Sequence, residues 1–358
     1  MVSDTSGGAG RQEWRVAMVV PLRGPAGLFA PSCEAVIDVA VDEINARGGI
    51  LGREVVTEVL DGGGEPHEVA ERVRARLVDG ALDAVSGWHI SSVREALVPV
   101  LAGRVPYAYP SLYEGGETRP GVFCCGETPD VQIAPALRWL RDQLGLRRWF
   151  VVGDDYVWPR ASAGAVRGYA HDLGLDLVGQ DFVELGAADV DRVVTRIERT
   201  SCDGVLMLLV GQDAVEFNRA FSRRGLAERV ARFSPLMEEN MLLASGADST
   251  ANLFVASSYF RSMATGAAMD LLDRYLRLHG THAPALSSAA ESCHEGLHTL
   301  AALARRAGTD QLRAWDAATD GTAYEGPRGT VEFRGRTARQ RVHLAVADGV
   351  DFDVLACL

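Results

Sequence analysis

Short apolar runs alternate along this chain with longer stretches whose apolar residues recur at helical spacing. Arg15-Val-Ala-Met-Val-Val-Pro21 has no polar residue between its ends and predicts a buried parallel strand. Ala30–Ala46 follows as a helix with Cys33, Val36, Ile37, Ala40, Val41 and Ile44 on one face, and Gly48-Gly49 stops it. Further strands are expected over Glu54–Leu60, Asp83–Ser86, Val105–Pro110 and Val122–Cys125, with helices over Glu65–Val78 and Ser92–Ala102 between them. The rhythm restarts at Trp149. Strands are expected over Trp149–Gly153, Leu175–Val183, Gly204–Val210, Arg232–Leu236 and Leu253–Ser257, and helices over Arg160–Leu173, Asp189–Thr200 and Asp213–Arg224. Two more helices, Ala267–Leu278 and Ser287–Ala307, precede a terminal strand pair, Gly329–Phe333 with Val342–Val346. This alternation predicts an α/β protein with two doubly wound, Rossmann-like lobes and parallel sheets covered on both faces. Such sheets bind ligands at the carboxyl ends of their strands, so functional residues are expected just after strands, facing a cleft between the lobes.

The length of 358 residues suits two cores, and 47% hydrophobic with 23% charged residues is globular composition. A net charge of −12 disfavours direct nucleic-acid binding, which normally shows a basic face. All 36 basic residues are arginine, which excludes a Schiff-base lysine and a P-loop lysine together. No apolar segment is long enough to span a bilayer, so no membrane insertion is expected. Residues Met1–Gln12 are polar and lack a basic n-region, which points to a disordered lead-in of a cytoplasmic protein; removal of a signal peptide is the alternative. None of the six cysteines forms a C-x-x-C pair, so they read as reduced core thiols, with an oxidised pair left open.

Several motifs are candidates for chemistry. His294-Glu-Gly-Leu-His298 fits H-E-x-x-H, in which two helical histidines one turn apart bind zinc. Gly296 inside the helix and the lack of an obvious third ligand weigh against a zinc hydrolase built on His294, Glu295 and His298. Gly62-Gly-Gly64 lacks phosphate-loop spacing and reads as a strand-to-helix turn after Asp61. Ser92 and Glu95 make a capping box, leaving Ser91 at a helix N-terminus facing the cleft. Tyr107-Ala-Tyr-Pro-Ser-Leu-Tyr-Glu114 and Gly153-Asp-Asp-Tyr-Val-Trp-Pro-Arg160 place polar aromatics after one strand in each half, an arrangement for holding a small ligand. Met237-Glu-Glu-Asn240 offers carboxylates to an amide, urea or ammonium group, or to the next helix dipole.

Val19-Val-Pro-Leu-Arg-Gly-Pro25, Asp42-Glu-Ile-Asn-Ala-Arg-Gly-Gly-Ile-Leu-Gly-Arg53 and Asp61-Gly-Gly-Gly-Glu-Pro66 resemble the type I periplasmic-binding-protein folds of the branched-chain amino acid, amide and urea class. Tyr109-Pro-Ser-Leu-Tyr-Glu-Gly115 and Gly153–Arg160 are similar to cytoplasmic amide-sensing regulators and to urea and short-chain amide binders. The resemblance implies two lobes joined by three crossovers, with 14–127 and 260–325 in lobe 1, and 128–259 and 326–358 in lobe 2, after a lead-in over 1–13. It implies ligand contacts from His89, Ser91, Tyr109, Ser111, Tyr113, Tyr156, Trp158 and Glu239, with His89 and Trp158 standing where the amide sensors have tyrosines. It also implies that the helix around Glu291–Leu303 lies in lobe 1 and is not a zinc site. The expected function is non-enzymatic binding of a small polar ligand, a short-chain amide or urea, by a cytoplasmic sensor. No cofactor is implied. The partner would be an antitermination-type regulator, and homo-oligomerisation is left open. The alternative is the solute-binding subunit of an ABC importer for amides, urea or branched-chain amino acids, working with a permease.

Overall fold

The computed structural model describes residues 12–358. The first half of lobe 1 runs β1 (Glu13–Val20), α1 (Ala30–Ala46), β2 (Glu54–Asp61), α2 (Pro66–Val78), β3 (Ala84–Ser86), α3 (Ser91–Leu101), β4 (Tyr107–Tyr109) and β5 (Val122–Cys124). The chain then builds lobe 2: α4 (Pro129–Leu144), β6 (Arg148–Asp154), α5 (Val157–Leu173), β7 (Asp176–Val183), α6 (Val190–Glu198), β8 (Gly204–Leu208), α7 (Gly211–Arg223), β9 (Ala231–Ser234), α8 (Glu239–Ser245) and β10 (Leu253–Ser257). It returns to lobe 1 with α9 (Gly266–His279), α10 (Ser288–Ala307), α11 (Leu312–Thr319), β11 (Ala323–Gly326), β12 (Gly329–Arg334) and β13 (Thr337–Arg339), and ends in lobe 2 with β14 (His343–Asp348) and β15 (Asp351–Cys357).

One sheet has the order β11-β12-β13-β5-β4-β3-β1-β2 and the other β15-β14-β10-β9-β8-β6-β7. The parallel part of each sheet follows one winding, β2-β1-β3-β4-β5 and β7-β6-β8-β9-β10. In each, the direction of travel reverses beside the first strand, between β1 and β3 and between β6 and β8. Loops leave such a switch point in opposite directions and open a crevice at the strand ends.

The elements form where local chemistry calls for them. In β1 every residue from Val16 to Val20 is buried, as a strand covered on both faces requires. The predicted stripe of α1 is buried apart from the half-buried Val41, and Gly48 and Gly49 take φ values of 93° and 73° beyond its end. Asp189 precedes α6 and its side chain accepts the Arg192 N–H at 3.1 Å.

Two expectations at the chain end need correction. Gly329–Phe333 and Val342–Val346 are not a pair. The first lies in β12 of sheet 1, and the second overlaps β14, antiparallel to β10 in sheet 2. Residues 326–339 therefore extend lobe 1, and the last crossover falls at 340–342 rather than at 325. Alternation reports that each segment is a strand but not which sheet it joins. The first two crossovers are tied together: Glu127 Oε1 accepts the Ser258 N–H at 2.8 Å, and Glu127 Oε2 lies 3.9 Å from the buried Arg328. All six cysteines are free thiols in this structure.

Candidate ligand-binding cleft

A cavity of about 620 Å³ lies between the lobes. Its walls come from the segments that follow β1 (Pro21, Arg23, Pro25), β2 (Gly62–Pro66), β3 (Ile90, Ser92), β6 (Asp155, Tyr156), β7 (Glu184, Leu185) and β8 (Val210). These are the carboxyl ends of the strands on both sides of the two switch points.

Much of this wall is main chain. Glu65, Ile90, Tyr156 and Val210 are the N-cap residues of α2, α3, α5 and α7, and none of these caps is closed by its own side chain. Four helix N-termini, none capped by the side chain of its N-cap residue, therefore border one cavity. Unpaired N–H groups and the positive ends of helix dipoles favour an anionic or carbonyl oxygen there.

An aspartate holds the loops in each lobe. Asp61 Oδ1 accepts the N–H groups of Leu22 at 3.0 Å and Gly63 at 2.8 Å, while Oδ2 pairs with Arg23 at 2.8 Å. Asp154 Oδ2 accepts the Val210 N–H at 2.7 Å; burial, then the Asp213 charge, pushes its carboxyl well up. The glycine run after β2 is the expected turn, and it is a wall of the cleft. A Cβ on Gly63 would lie 2.2 Å from the Arg23 carbonyl oxygen, so only glycine lets the β1 and β2 loops meet. Gly211, at φ 51°, faces Pro25 in the same way: a Cβ there would lie 2.0 Å from the Pro25 carbonyl oxygen, across the lobe boundary.

Of the predicted ligand residues, only Tyr156 lines this cavity. His89, Tyr109, Ser111 and Tyr113 come together in lobe 1 but are turned inward. The His89 N–H donates to Ser111 Oγ at 3.1 Å, its Nδ1 lies 3.0 Å from the Val19 carbonyl, and its Nε2 lies 2.6 Å from the Tyr107 hydroxyl. A carbonyl only accepts, so Nδ1 carries the proton and Nε2 accepts from Tyr107. Burial lowers His89 to about 4 and keeps it neutral. The Tyr109 hydroxyl donates to the His89 carbonyl at 2.8 Å, and Tyr113 lies 3.2 Å from Thr337 Oγ1. Arg94 sits 5.6 Å from both tyrosine rings and pairs with Glu114 and Glu117. These side chains are engaged in fixing the loop behind the cleft.

Ser91 is buried with no hydrogen-bond partner for its Oγ. The capping box is absent, because α3 begins one residue early, at Ser91, with Ile90 as N-cap; Ser92 is freed to line the cavity. Trp158 is 2% exposed, part of the core, with its ring 6.3 Å from that of Tyr156. Glu239 accepts the Arg261 N–H at 2.8 Å within lobe 2, and burial pushes it up to about 8. Its neighbour Glu238 crosses between lobes instead: Oε2 accepts the Ala289 N–H at the start of α10 at 3.1 Å, and burial pushes it up to about 7. Asn240 also crosses, donating to Ser32 Oγ and the Ala285 carbonyl, each at 3.2 Å. Pro21, Arg23, Pro25, Gly62–Pro66, Leu185 and Val210 were not expected at the site. Their sequence signals are position, just after adjacent parallel strands, and, for Pro21, Arg23, Pro25 and Gly62–Pro66, membership of the segments that carry the family resemblance.

The periplasmic binding protein family profile matches residues 13–350. The chain belongs to the periplasmic binding protein family. This binding protein is 28% identical over 195 residues to the Leu/Ile/Val-binding protein BraC3 of Rhizobium johnstonii, a match covering 53% of each chain. It thus spans about half the length of that relative. Its fold is that of the solute binding protein of an ABC transporter from Rhodopseudomonas palustris HaA2, in complex with p-hydroxybenzoic acid (TM-score 0.87, 18% identity, 97% of each chain). The substrate binding protein LivJ of a branched-chain amino acid transporter from Streptococcus pneumoniae, in complex with isoleucine, also matches (TM-score 0.81, 17% identity, 97% of this chain and 98% of that one). The two lobes and the cleft are those of a ligand-binding protein.

Proposed function

We propose that this protein is the solute-binding subunit of an ABC importer and captures a small carboxylate-bearing molecule between its lobes. The observation that carries this reading is the convergence of four uncapped helix N-termini on a cavity of about 620 Å³. That arrangement can hold a carboxylate with no arginine in contact. Arg23, the one arginine lining the cavity among the described residues, is already paired with Asp61. The relatives support the same class, since p-hydroxybenzoic acid and isoleucine both carry a carboxylate. Tyr156 supplies an aromatic face with a hydroxyl for the rest of the ligand. The lobes close on the ligand only as far as it binds the closed state better. In this role the protein works on the outer side of the membrane and hands its ligand to a permease, in place of the regulator partner of a cytoplasmic amide sensor.

Thermal shift followed by calorimetry tests the reading with benzoate, 4-hydroxybenzoate, leucine, isoleucine and valine against acetamide, butyramide and urea. A carboxylate at 100 times its Kd adds about 2.7 kcal/mol of stability. Stabilisation by amides or urea alone would overturn the carboxylate reading in favour of an amide sensor. Silence from all of them would overturn both.

A further inference from the structure

A second polar pocket, of about 130 Å³, lies between α1 and α10 in lobe 1, away from the cleft. His294 and His298 project from one face of α10, their ring centroids 4.2 Å apart. Glu43 reaches them from α1, 251 positions earlier than His294. Its Oε2 lies 3.3 Å from His294 Nε2 and 3.1 Å from His298 Nε2. The coordinating atoms of the three side chains all lie within 4.8 Å of one another. The third residue that the H-E-x-x-H reading lacked is therefore present, supplied by a different helix.

We propose that Glu43, His294 and His298 bind zinc or another borderline divalent transition-metal ion. Bonds of about 2.0–2.1 Å to a tetrahedral ion set neighbouring ligand atoms about 3.3 Å apart, close to the two nitrogen–oxygen distances in this cluster. Hydrogen bonding alone leaves part of the arrangement unexplained. His298 Nε2 is buried beside the carboxylate yet has no aligned hydrogen bond. Glu43 is held in place from behind, with Arg274 on its Oε1 at 2.7 Å, as outer partners hold metal-ligating carboxylates. The pocket carries Glu43, Asp270, Glu295 and Glu325 against Arg47 and Arg274, an excess of two negative charges that a divalent cation neutralises.

The site staples two helices and is not hydrolytic. Its cavity of about 130 Å³ is far below the roughly 300 Å³ of a substrate pocket. The motif glutamate, Glu295, is engaged by the Tyr324 hydroxyl. Gly296, costly inside a helix, has a packing role: a Cβ there would lie 2.2 Å from Ser86 Oγ on β3.

The test uses the full chain, stripped of metal with EDTA. Zinc is titrated by calorimetry, cobalt(II) by visible absorption, and magnesium serves as the control. One zinc ion per chain is expected, with a rise in Tm that magnesium does not produce. Cobalt should show the intense visible bands of a four- or five-coordinate ion without a thiolate charge-transfer band. Glu43→Gln and His298→Ala should each weaken zinc binding at least about tenfold, while stabilisation by the cleft ligand persists. Absent stoichiometric zinc, or equal affinity in the folded variants, overturns the proposal. If the variants fail to fold, the wild-type cobalt spectrum decides: a thiolate band, or the weak absorption of a six-coordinate ion, overturns it.

Discussion

The interlobe cleft and the α1–α10 pocket are both cavities of the same protein, but they are made of different material. The cleft is walled by post-strand loops and helix N-termini, so its main-chain groups take positions that follow from sheet order. The smaller pocket is walled by charged side chains, and its groups converge because two helices pack together. A main-chain site attracts negative charge and tolerates wide variation in side chains. A side-chain site of imidazole and carboxylate attracts a cation and depends on each residue.

The difference can be broken first at Gly63. Its Cβ would press on the Arg23 carbonyl, a backbone atom that cannot swing aside. Gly63→Ala is expected to cost about 1–3 kcal/mol of stability from overpacking and to weaken cleft-ligand binding by at least about tenfold, leaving the zinc response intact. Calorimetry with both ligands measures this; unchanged affinity in the cleft would show that the β1 and β2 loops do not shape it.

A pH titration extends the comparison to Glu239 in lobe 2. Burial raises the folded-state carboxyl of Glu239 from 4.5 to about 8. Its favourable contribution is therefore fully present below pH 4.5 and is lost as pH rises toward about 8. Urea denaturation should show the wild type losing more stability than Glu239→Gln across this interval. Parallel curves would mean that the Arg261 N–H and water solvate the carboxylate fully.

The smallest effect is expected behind the cleft. Tyr109→Phe removes the hydrogen bond to the His89 carbonyl and should cost about 1 kcal/mol, with ligand affinity unchanged; Tyr156→Ala should lower that affinity without a comparable loss of stability. A tenfold affinity loss in Tyr109→Phe would return Tyr109 to the ligand surface.

The aromatic segments show how far the site was legible. Tyr109 and Tyr156 both follow strands and look alike in the sequence, yet Tyr109 is buried against His89 and Tyr156 lines the cleft. Side-chain direction at a strand end depends on the turn that follows, and that turn depends on neighbouring strands. The two acids of Met237–Asn240 differ in the same way. Glu238 is the extended residue that caps α8 and crosses to α10, while Glu239 is already the first residue of the helix and stays in lobe 2.

By itself the sequence determined the α/β class, the two-lobe organisation, most element positions and the helical pairing of His294 with His298. Those features rest on periodicity and on glycine stops, which act within a few residues of where they are written. Only the tertiary structure decided which loops meet at the cleft, which sheet β12 and β13 join, and that Glu43 stands opposite the two histidines. These are contacts between segments far apart in the chain, chosen by sheet order and by the packing of α1 on α10, and local patterning carries no record of them.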